Sequence, residues 1–290
     1  IMSGTTCFAD MYLFSQVTAQ ATIDNKMKAN IGLTLFGDEK ESLKRINTSL
    51  SPLKSMRASS NNSLLFDIAP HAIYTCPAGT YELAHAIAQQ EHLNLHTHAS
   101  ESLFEVEQSY KNTNLSPIAY LDSINALDSH TNIAHVVHPR EGDIKILQQR
   151  KSHVIHNPSS NCKLGNGIAP IAEYMNSGIL VALGTDGSSS NNTLDMFKEM
   201  RLAAMISAAH THNPIAITPY DVLSMATING AKALNREQTT GSIEIGKDGD
   251  ITLINMNKPH LSPMNNPYSA VVFGSSSQDV DTVIRLDGCY

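Results

Sequence analysis

The sequence contains no tryptophan and has fewer basic than acidic side chains, with 20 Lys and Arg against 27 Asp and Glu and a net charge of −7. A protein that neutralises the phosphates of nucleic acid needs a basic surface, so no nucleic-acid partner is predicted. Long hydrophobic runs are also missing. The apolar stretch Gly178–Leu183 is typical of the longest ones and far too short to cross a bilayer, so no membrane partner is predicted.

Cysteine is scarce as well, and the four cysteines Cys7, Cys76, Cys162 and Cys289 are scattered without forming a CxxC pair. This distribution is typical of a reduced protein rather than of a disulfide-linked secreted one. Residues 1–6 show neither the basic nor the apolar segment of a signal peptide. The sequence therefore predicts a cytoplasmic location.

What the sequence does contain is a regular alternation of short β-branched apolar runs with longer segments of helical composition. The predicted strands are Thr5–Tyr12, Ala29–Phe36, Leu64–Ala69, Leu93–Ala99, Asn132–Val137, His153–His156 and Ile179–Thr185. Such an alternation predicts βαβ units and a parallel sheet. No glycine-rich dinucleotide motif follows any strand, so an α/β fold of the (β/α)8 TIM-barrel type is favoured over a doubly wound sheet. Seven strands are one fewer than such a barrel has.

The pattern changes after a last long helical segment, Pro219–Asn235. Residues 241–254 read as turn, strand, turn and strand, and two further strands are predicted at Ala270–Phe273 and Val280–Leu286. The predicted domains are therefore a (β/α) barrel over residues 1–236, incomplete at its N-terminus, and a small C-terminal β appendage, a partial β-sandwich, over residues 237–290.

Polar side chains occur at the ends of several predicted strands, where a parallel barrel carries its chemistry. They are His71, the pair His96 and His98 with Glu101 shortly after it, His135 with His138, and Asp186. Imidazole and carboxylate groups suit zinc, iron or a similar divalent ion.

Each of these residues has a plainer interpretation when it is taken alone. Asp186 precedes a glycine and fits an ordinary turn, His71 fits a loop, and His96 and His138 fit structural roles. Several coincidences at strand ends together favour a metal site. Other chemistries have less support, because the sequence contains no GxSxG elbow, no P-loop and no PCxxC deaminase signature.

At these residues the chain resembles the amidohydrolase superfamily, in the branch that holds the methylthioadenosine/S-adenosylhomocysteine deaminases and the triazine (TRZ/ATZ) chlorohydrolases. The resemblance runs almost end to end, through residues 3–12, 69–76, 96–101, 134–138, 156–167, 183–192 and 241–254. As an ordered set these segments are highly specific, although each alone is weak.

The resemblance implies one divalent metal ion, zinc in the first place with iron as the alternative, with His98 and Asp186 as ligands. It implies catalytic roles for Glu101, His135 and Asp186, and substrate contacts for His71, Glu101 and Asp186. His96 and His98 look like the HxH pair of the family's first strand, but Glu101 follows three residues later and assigns His98 to the fifth. The first strand with its HxH pair is then expected to be missing, which indicates an N-terminally truncated chain.

The implied function is that of a metal-dependent aminohydrolase that deaminates a purine nucleoside-type substrate by metal-hydroxide attack. Substrates similar to 5'-methylthioadenosine or S-adenosylhomocysteine are expected. Glu101 favours deamination over dechlorination, because expelling ammonia needs a carboxylate that moves protons. The alternatives are a guanine-type or other heterocycle deaminase, a triazine-like chlorohydrolase, or an inactive fragment or pseudoenzyme with a structural or interaction role. The implied partner is a small-molecule substrate, and homo-oligomerisation is left open.

Overall fold

The computed structural model describes residues 1–61, 63–285 and 288–289. Within them, seven strands follow one another in a single sheet in the order of the chain. They are β1 (Cys7–Tyr12), β2 (Lys28–Leu35), β3 (Leu64–Pro70), β4 (Asn94–Ala99), β5 (Thr131–His135), β6 (His153–His156) and β7 (Val181–Leu183). All seven predicted strands are present, and the registers given for β1 to β5 are parallel. The predicted α/β class is confirmed.

Helices connect the strands and continue after the last of them. They are α1 (Ser15–Asp24), α2 (Glu39–Ser59), α3 (Ala78–Glu91), α4 (Leu103–Thr113), α5 (Pro117–Ser123), α6 (Asp143–Arg150), α7 (Pro158–Lys163), α8 (Ile171–Asn176), α9 (Ser188–Asn191), α10 (Met196–Thr211), α11 (Pro219–Ala226) and α12 (Ile228–Ala233). The predicted helix Pro219–Asn235 is thus two helices. Thr227 separates them with φ −128° and ψ −97°, which is not helical backbone. None of the helices in the described residues has both the length and the apolar character needed to cross a membrane.

The chain divides into two compact units, residues 7–154 and residues 1–6 with 155–290, and β6 straddles the boundary. The first unit, called here the βα unit, has its core around β2, which is buried along its whole length. Its apolar side chains Ile31, Leu33 and Leu35 pack with residues of β3 and with the inner faces of α1, α2 and α3. Residues 28–35 alternate apolar side chains with polar residues or glycine. Successive side chains point to opposite faces and all eight residues are buried, so both faces of the strand are covered.

The second unit, called here the C-terminal unit, contains β7, the helices from α7 onward and a small antiparallel sheet. Strand β8 (Ile251–Ile254) pairs with β9 (Val280–Arg285), which pairs with β10 (Gly288–Cys289). Thr252 Oγ1 donates a hydrogen bond of 2.8 Å to the carbonyl oxygen of Gly4. The predicted β character of this region is therefore present, and Leu286 lies outside the described residues. The domain boundary at residues 236 and 237 stays a prediction.

Two of the strands predicted in this region are not formed. Only the second of the two expected within residues 241–254 exists, because the earlier segment is exposed and Ile245 buries no surface against the protein. Ala270–Phe273 was predicted as a strand, but Ala270–Gly274 is a π-helical turn. It continues directly from the helical turn Pro267–Ser269, in which the first-turn proline fixes a helical φ.

Candidate active site

Three histidines predicted for the site lie side by side at the carboxyl ends of β3, β4 and β5. His71 follows β3, His98 is the penultimate residue of β4, and His135 ends β5. The ring centroids of His71 and His98 are 5.0 Å apart, and those of His98 and His135 are 5.5 Å apart. The parallel register explains this grouping, because Ala99 pairs with His135 and Ala72 bridges to His98.

His98 is held in one tautomer. Its Nδ1 is 2.8 Å from the carbonyl oxygen of His71. A carbonyl oxygen only accepts, so the ring proton lies on Nδ1 and the lone pair lies on Nε2. Burial, followed by the neighbouring His135 and His96, holds the pKa of His98 well below its usual value. A neutral imidazole whose other nitrogen bonds a backbone carbonyl is the usual form of a metal-binding histidine, so His98 fits the ligand role predicted for it.

Glu101 and His135 form the second part of the site. Glu101 lies in the turn between β4 and α4, and its Oε1 is 3.8 Å from Nε2 of the buried His135. The backbone at His135 and Val136 has φ values of +75° and +41°. Positive φ is rare for a β-branched residue such as Val136, and strain of this kind is concentrated at functional sites. The structure therefore brings together the predicted proton-transfer carboxylate and the histidine predicted to orient the attacking oxygen.

His71 lies among aromatic rings. Its ring centroid is 4.8 Å from that of Phe36 and 5.8 Å from that of Tyr74. Its Nδ1 is 2.9 Å from Thr75 Oγ1, and burial lowers its pKa. Burial, with smaller contributions from the charges of Glu101 and Glu105, raises the pKa of Tyr74 to about 12. Tyr74 therefore keeps its phenolic proton and can donate or accept a hydrogen bond.

Sequence reasoning missed three residues at this place: Phe36, Tyr74 and Glu105. Phe36 directly follows β2 and Tyr74 lies three residues after His71, so both occupy the strand ends that drew attention to the histidines. Glu105 is 4% exposed, and its carboxylate accepts hydrogen bonds from the amides of Ser100 and Glu101. The Ser102-x-x-Glu105 spacing, which is that of a capping box, is the sequence feature that could have drawn attention to Glu105.

Asp186 belongs to the C-terminal unit, in the loop after β7. Its Oδ2 accepts a hydrogen bond of 2.6 Å from Ser160 Oγ, and its Oδ1 accepts one of 2.5 Å from the amide of Gly187. The buried Glu199 supports the same loop, since it accepts from Asn191 Nδ2, which also donates to the carbonyl oxygen of Thr185. The role of Asp186 in one site with His98 stays a prediction.

The metal-binding capacity of the chain can be read from these donors. The tautomer of His98 fits a divalent ion, and the carboxylate of Asp186 is chemically suited to one. Within residues 1–61, 63–285 and 288–289, no group of three or more His, Cys, Asp or Glu side chains is arranged to hold a metal ion. The predicted ligand set in this chain has two members, whereas a catalytic zinc has three protein ligands. His96, with its ring 6.0 Å from that of His98, stays outside the predicted set.

Parallel βα units with polar side chains at the carboxyl ends of the strands are the arrangement of barrel-type enzymes. The chain belongs to the amidohydrolase family, whose model matches residues 1–288, so the predicted family is confirmed. The chain is 41% identical over 287 residues to a 5'-deoxyadenosine deaminase of Methanosphaera stadtmanae, and the alignment covers 98% of this chain and 67% of that protein. It is 40% identical over 288 residues to a 5-methylthioadenosine/S-adenosylhomocysteine deaminase of Acetivibrio thermocellus, and this alignment covers 99% of this chain and 67% of that protein.

Solved structures give the same picture. An adenosine deaminase from Xanthomonas campestris with bound zinc superposes with a TM-score of 0.93 at 27% identity, over 98% of this chain and 65% of that one. The atrazine chlorohydrolase TrzN from Arthrobacter aurescens, complexed with zinc, superposes with a TM-score of 0.88 at 22% identity, over 98% of this chain and 68% of that one. The second likeness shows the fold alone. The chain spans about two thirds of the length of the curated relatives it matches.

Proposed function

We propose that this chain carries the catalytic site of a metal-dependent aminohydrolase that hydrolytically deaminates a purine nucleoside-type substrate. The observation that supports this most directly is the pairing of Glu101 Oε1 with His135 Nε2 at 3.8 Å, next to the neutral imidazole of His98. The names of the relatives at 41% and 40% identity support an adenosine derivative altered at its 5' position as the substrate.

The cofactor in this proposal is one divalent metal ion, with zinc preferred because the adenosine deaminase of similar fold is zinc-bound. His98 and Asp186 would hold it. Such an ion lowers the pKa of water to about 7 and so supplies hydroxide at neutral pH. The neutral state of His98 suits this role, because a protonated imidazole has no lone pair to offer.

Proton movement falls to the side chains of this chain. Asp186 accepts the proton of the attacking water. Glu101 protonates the ring nitrogen next to the amine-bearing carbon, and His135 donates a hydrogen bond to the attacking oxygen. Asp186 then passes its proton to the amine, which leaves as ammonia, and the proton remaining on the new hydroxyl oxygen returns to Glu101 as the ring carbonyl forms. Loss of ammonia needs this relay, because an amide-like anion is a poor leaving group until it is protonated.

His71 and the rings beside it are assigned to substrate binding. The ring of Phe36 and the exposed ring of Tyr74 lie next to His71. Aromatic faces suit the flat surface of a purine base, and the ring nitrogens of His71 can hydrogen-bond its edge or the ribose.

The thiols of Cys76 and Cys162 are free, which supports the cytoplasmic location proposed for the protein.

The test measures bound metal and ammonia release on the same preparations. The purified protein is assayed with 5'-deoxyadenosine, 5'-methylthioadenosine, S-adenosylhomocysteine, guanine and a chlorotriazine. We expect ammonia release from the adenosine derivatives and near-stoichiometric zinc, with both lost in His98→Ala. His96→Ala is the matched control, because the same side chain is removed two residues away on the same strand. A metal-free protein that releases no ammonia would instead support an inactive fragment with a structural role.

A further inference from the structure

The turn that carries Glu101 contains a residue in an unfavourable backbone conformation. Ser100, between the end of β4 and Glu101, is fully buried and has a φ of +53°. The left-handed region is disfavoured for residues other than glycine, so the surrounding structure has to hold Ser100 there. The direction of the Glu101 side chain depends on whatever holds this turn.

The carboxylate of Glu105 contacts both amides of the turn. Its Oε1 accepts from the amide of Ser100 at 3.1 Å, and its Oε2 accepts from the amide of Glu101 at 2.8 Å. On the other side of the turn, the Ser100 carbonyl oxygen accepts from the amides of Val137 and His138 at 2.9 and 3.0 Å. The turn is therefore held from α4 and from the segment that follows His135.

This arrangement differs from an ordinary helix cap. Ser102 is the N-cap of α4, and its Oγ accepts from the amide of Glu105 at 3.2 Å. In a capping box, the glutamate returns this bond to the amide of the N-cap residue itself. Glu105 instead reaches one and two residues further back, to Glu101 and Ser100. Capping of α4 does not require contacts this far back along the chain, whereas fixing the turn that carries Glu101 does.

The arrangement is also costly. Glu105 is 4% exposed, and burial, followed in the same direction by the charge of Glu101, raises its pKa to about 7. Burying a carboxylate is unfavourable unless hydrogen bonds compensate for the lost water. The two backbone amides provide that compensation, and they tie Glu105 to this turn.

We propose that Glu105 is a positioning residue, which fixes the Ser100–Glu101 turn and thereby directs the Glu101 carboxylate toward His135. Glu105 has this importance for turnover only if Glu101 transfers the proton, so the role rests on the proposed deaminase function. Glu105 itself need not touch the substrate.

The experiment compares Glu105→Gln and Glu105→Asp with the control Ser102→Ala in the full-length protein. Ser102→Ala removes the cap of the same helix but leaves the Ser100 and Glu101 amides bonded to Glu105. The measurements are kcat and KM for 5'-deoxyadenosine, zinc content, Tm, and hydrogen–deuterium exchange of the peptide spanning residues 97–104.

In Glu105→Gln, the NH2 group replaces one of the two accepting oxygens and so faces a backbone donor. We expect kcat to fall about 10- to 100-fold, the range typical of residues that orient a site group, with KM and zinc content unchanged. Exchange within residues 97–104 should accelerate. Glu105→Asp, which keeps the charge but shortens the reach, should be intermediate, and it decides the matter if Glu105→Gln does not fold. Ser102→Ala should lower Tm while keeping kcat within about twofold.

The proposal would be overturned if kcat fell in proportion to Tm in both the Glu105 and the Ser102 variants. Glu105 would then affect turnover through the stability of the helix. If the unsubstituted protein releases no ammonia, the deaminase proposal fails and exchange still tests the contact. Acceleration at residues 97–104 in Glu105→Gln but not in Ser102→Ala supports Glu105 as the residue that fixes the turn. Acceleration spread equally over α4 in both overturns it.

Discussion

The two compact units of this chain differ in how directly their structure follows from local sequence. In the βα unit, the ends of all five complete strands lie within two residues of the predicted positions. In the C-terminal unit, two predicted strands are absent and one predicted helix is two. The difference lies in burial. A buried strand such as β2 has an apolar residue at every second position, which is an easily recognised pattern, whereas short exposed segments carry no such pattern.

The largest expected effect concerns Glu101. Glu101→Gln keeps the size of the side chain but removes its ability to give up and take back a proton. We expect turnover to fall by about 10²- to 10⁴-fold, the usual contribution of a general acid–base group. Zinc content should stay unchanged, because Glu101 is not a predicted ligand. The checks are ammonia release at saturating substrate and metal analysis of the same sample.

Asp186→Asn provides the contrast from the C-terminal unit. As a predicted ligand and proton acceptor, Asp186 should affect both zinc content and turnover when it is replaced. If Glu101→Gln removes the zinc instead, its assigned role is wrong. If Asp186→Asn keeps full zinc and full turnover, the site is confined to the βα unit.

The second prediction compares core packing in the two units. Ile31→Ala removes a fully buried side chain of β2 and should lower the free energy of unfolding by about 2–5 kcal/mol. Ile245→Ala, the same substitution at an exposed position of the C-terminal unit, should change it by no more than about 0.5 kcal/mol. Urea unfolding followed by circular dichroism measures both. Similar losses in the two variants would show that residues 241–249 pack against something in solution.

The candidate site was predictable to the extent that it depends on strand ends. His71, His98 and His135 end up adjacent because parallel strands in register bring their carboxyl ends to one edge. Phe36 and Tyr74 also lie at strand ends, but an aromatic residue there fits core packing equally well. The capping-box spacing of Glu105 marks the start of a helix, but it does not reveal that the carboxylate bonds the turn at the left-handed Ser100. The π-helical turn at Ala270–Gly274 was missed because the residues from Val271 to Phe273 are β-branched or aromatic and equally fit a strand.

The third prediction concerns opposite pH dependences in the two units. Burial raises the pKa of Glu105 to about 7. The folded state therefore binds this proton more tightly than the unfolded state, and the resulting stability is present below the ordinary glutamate pKa and lost as pH rises toward 7. The contribution of this pKa difference to the free energy of unfolding is on the order of 3 kcal/mol at most. Glu105→Gln should flatten the slope of unfolding free energy against pH between about 4.5 and 7.

Asp279 in the C-terminal unit should act in the reverse sense. Burial would raise its pKa, but hydrogen bonds from Lys258 and from the Ser276 amide outweigh burial and hold the pKa well below its usual range. Its contribution to stability is present above the ordinary aspartate pKa and lost on strong acidification. Asp279→Asn should therefore flatten the pH dependence only below about pH 4. If both variants altered the same pH window, the assigned directions would be wrong.

The smallest expected effect should be equal in both units, because helix caps depend on a few neighbouring residues and not on the surrounding core. Asp38 caps α2 by accepting from the Glu41 amide at 2.9 Å, and Thr218 caps α11 by accepting from the Asp221 amide at 3.2 Å. Asp38→Ala and Thr218→Ala should each lower the free energy of unfolding by about 1 kcal/mol in urea titrations. Equal losses would mean that local hydrogen bonding is as effective in the C-terminal unit as in the βα unit. A much smaller loss for Thr218→Ala would mean that α11 unfolds independently of the rest, so that the two units differ in cooperativity as well as in burial.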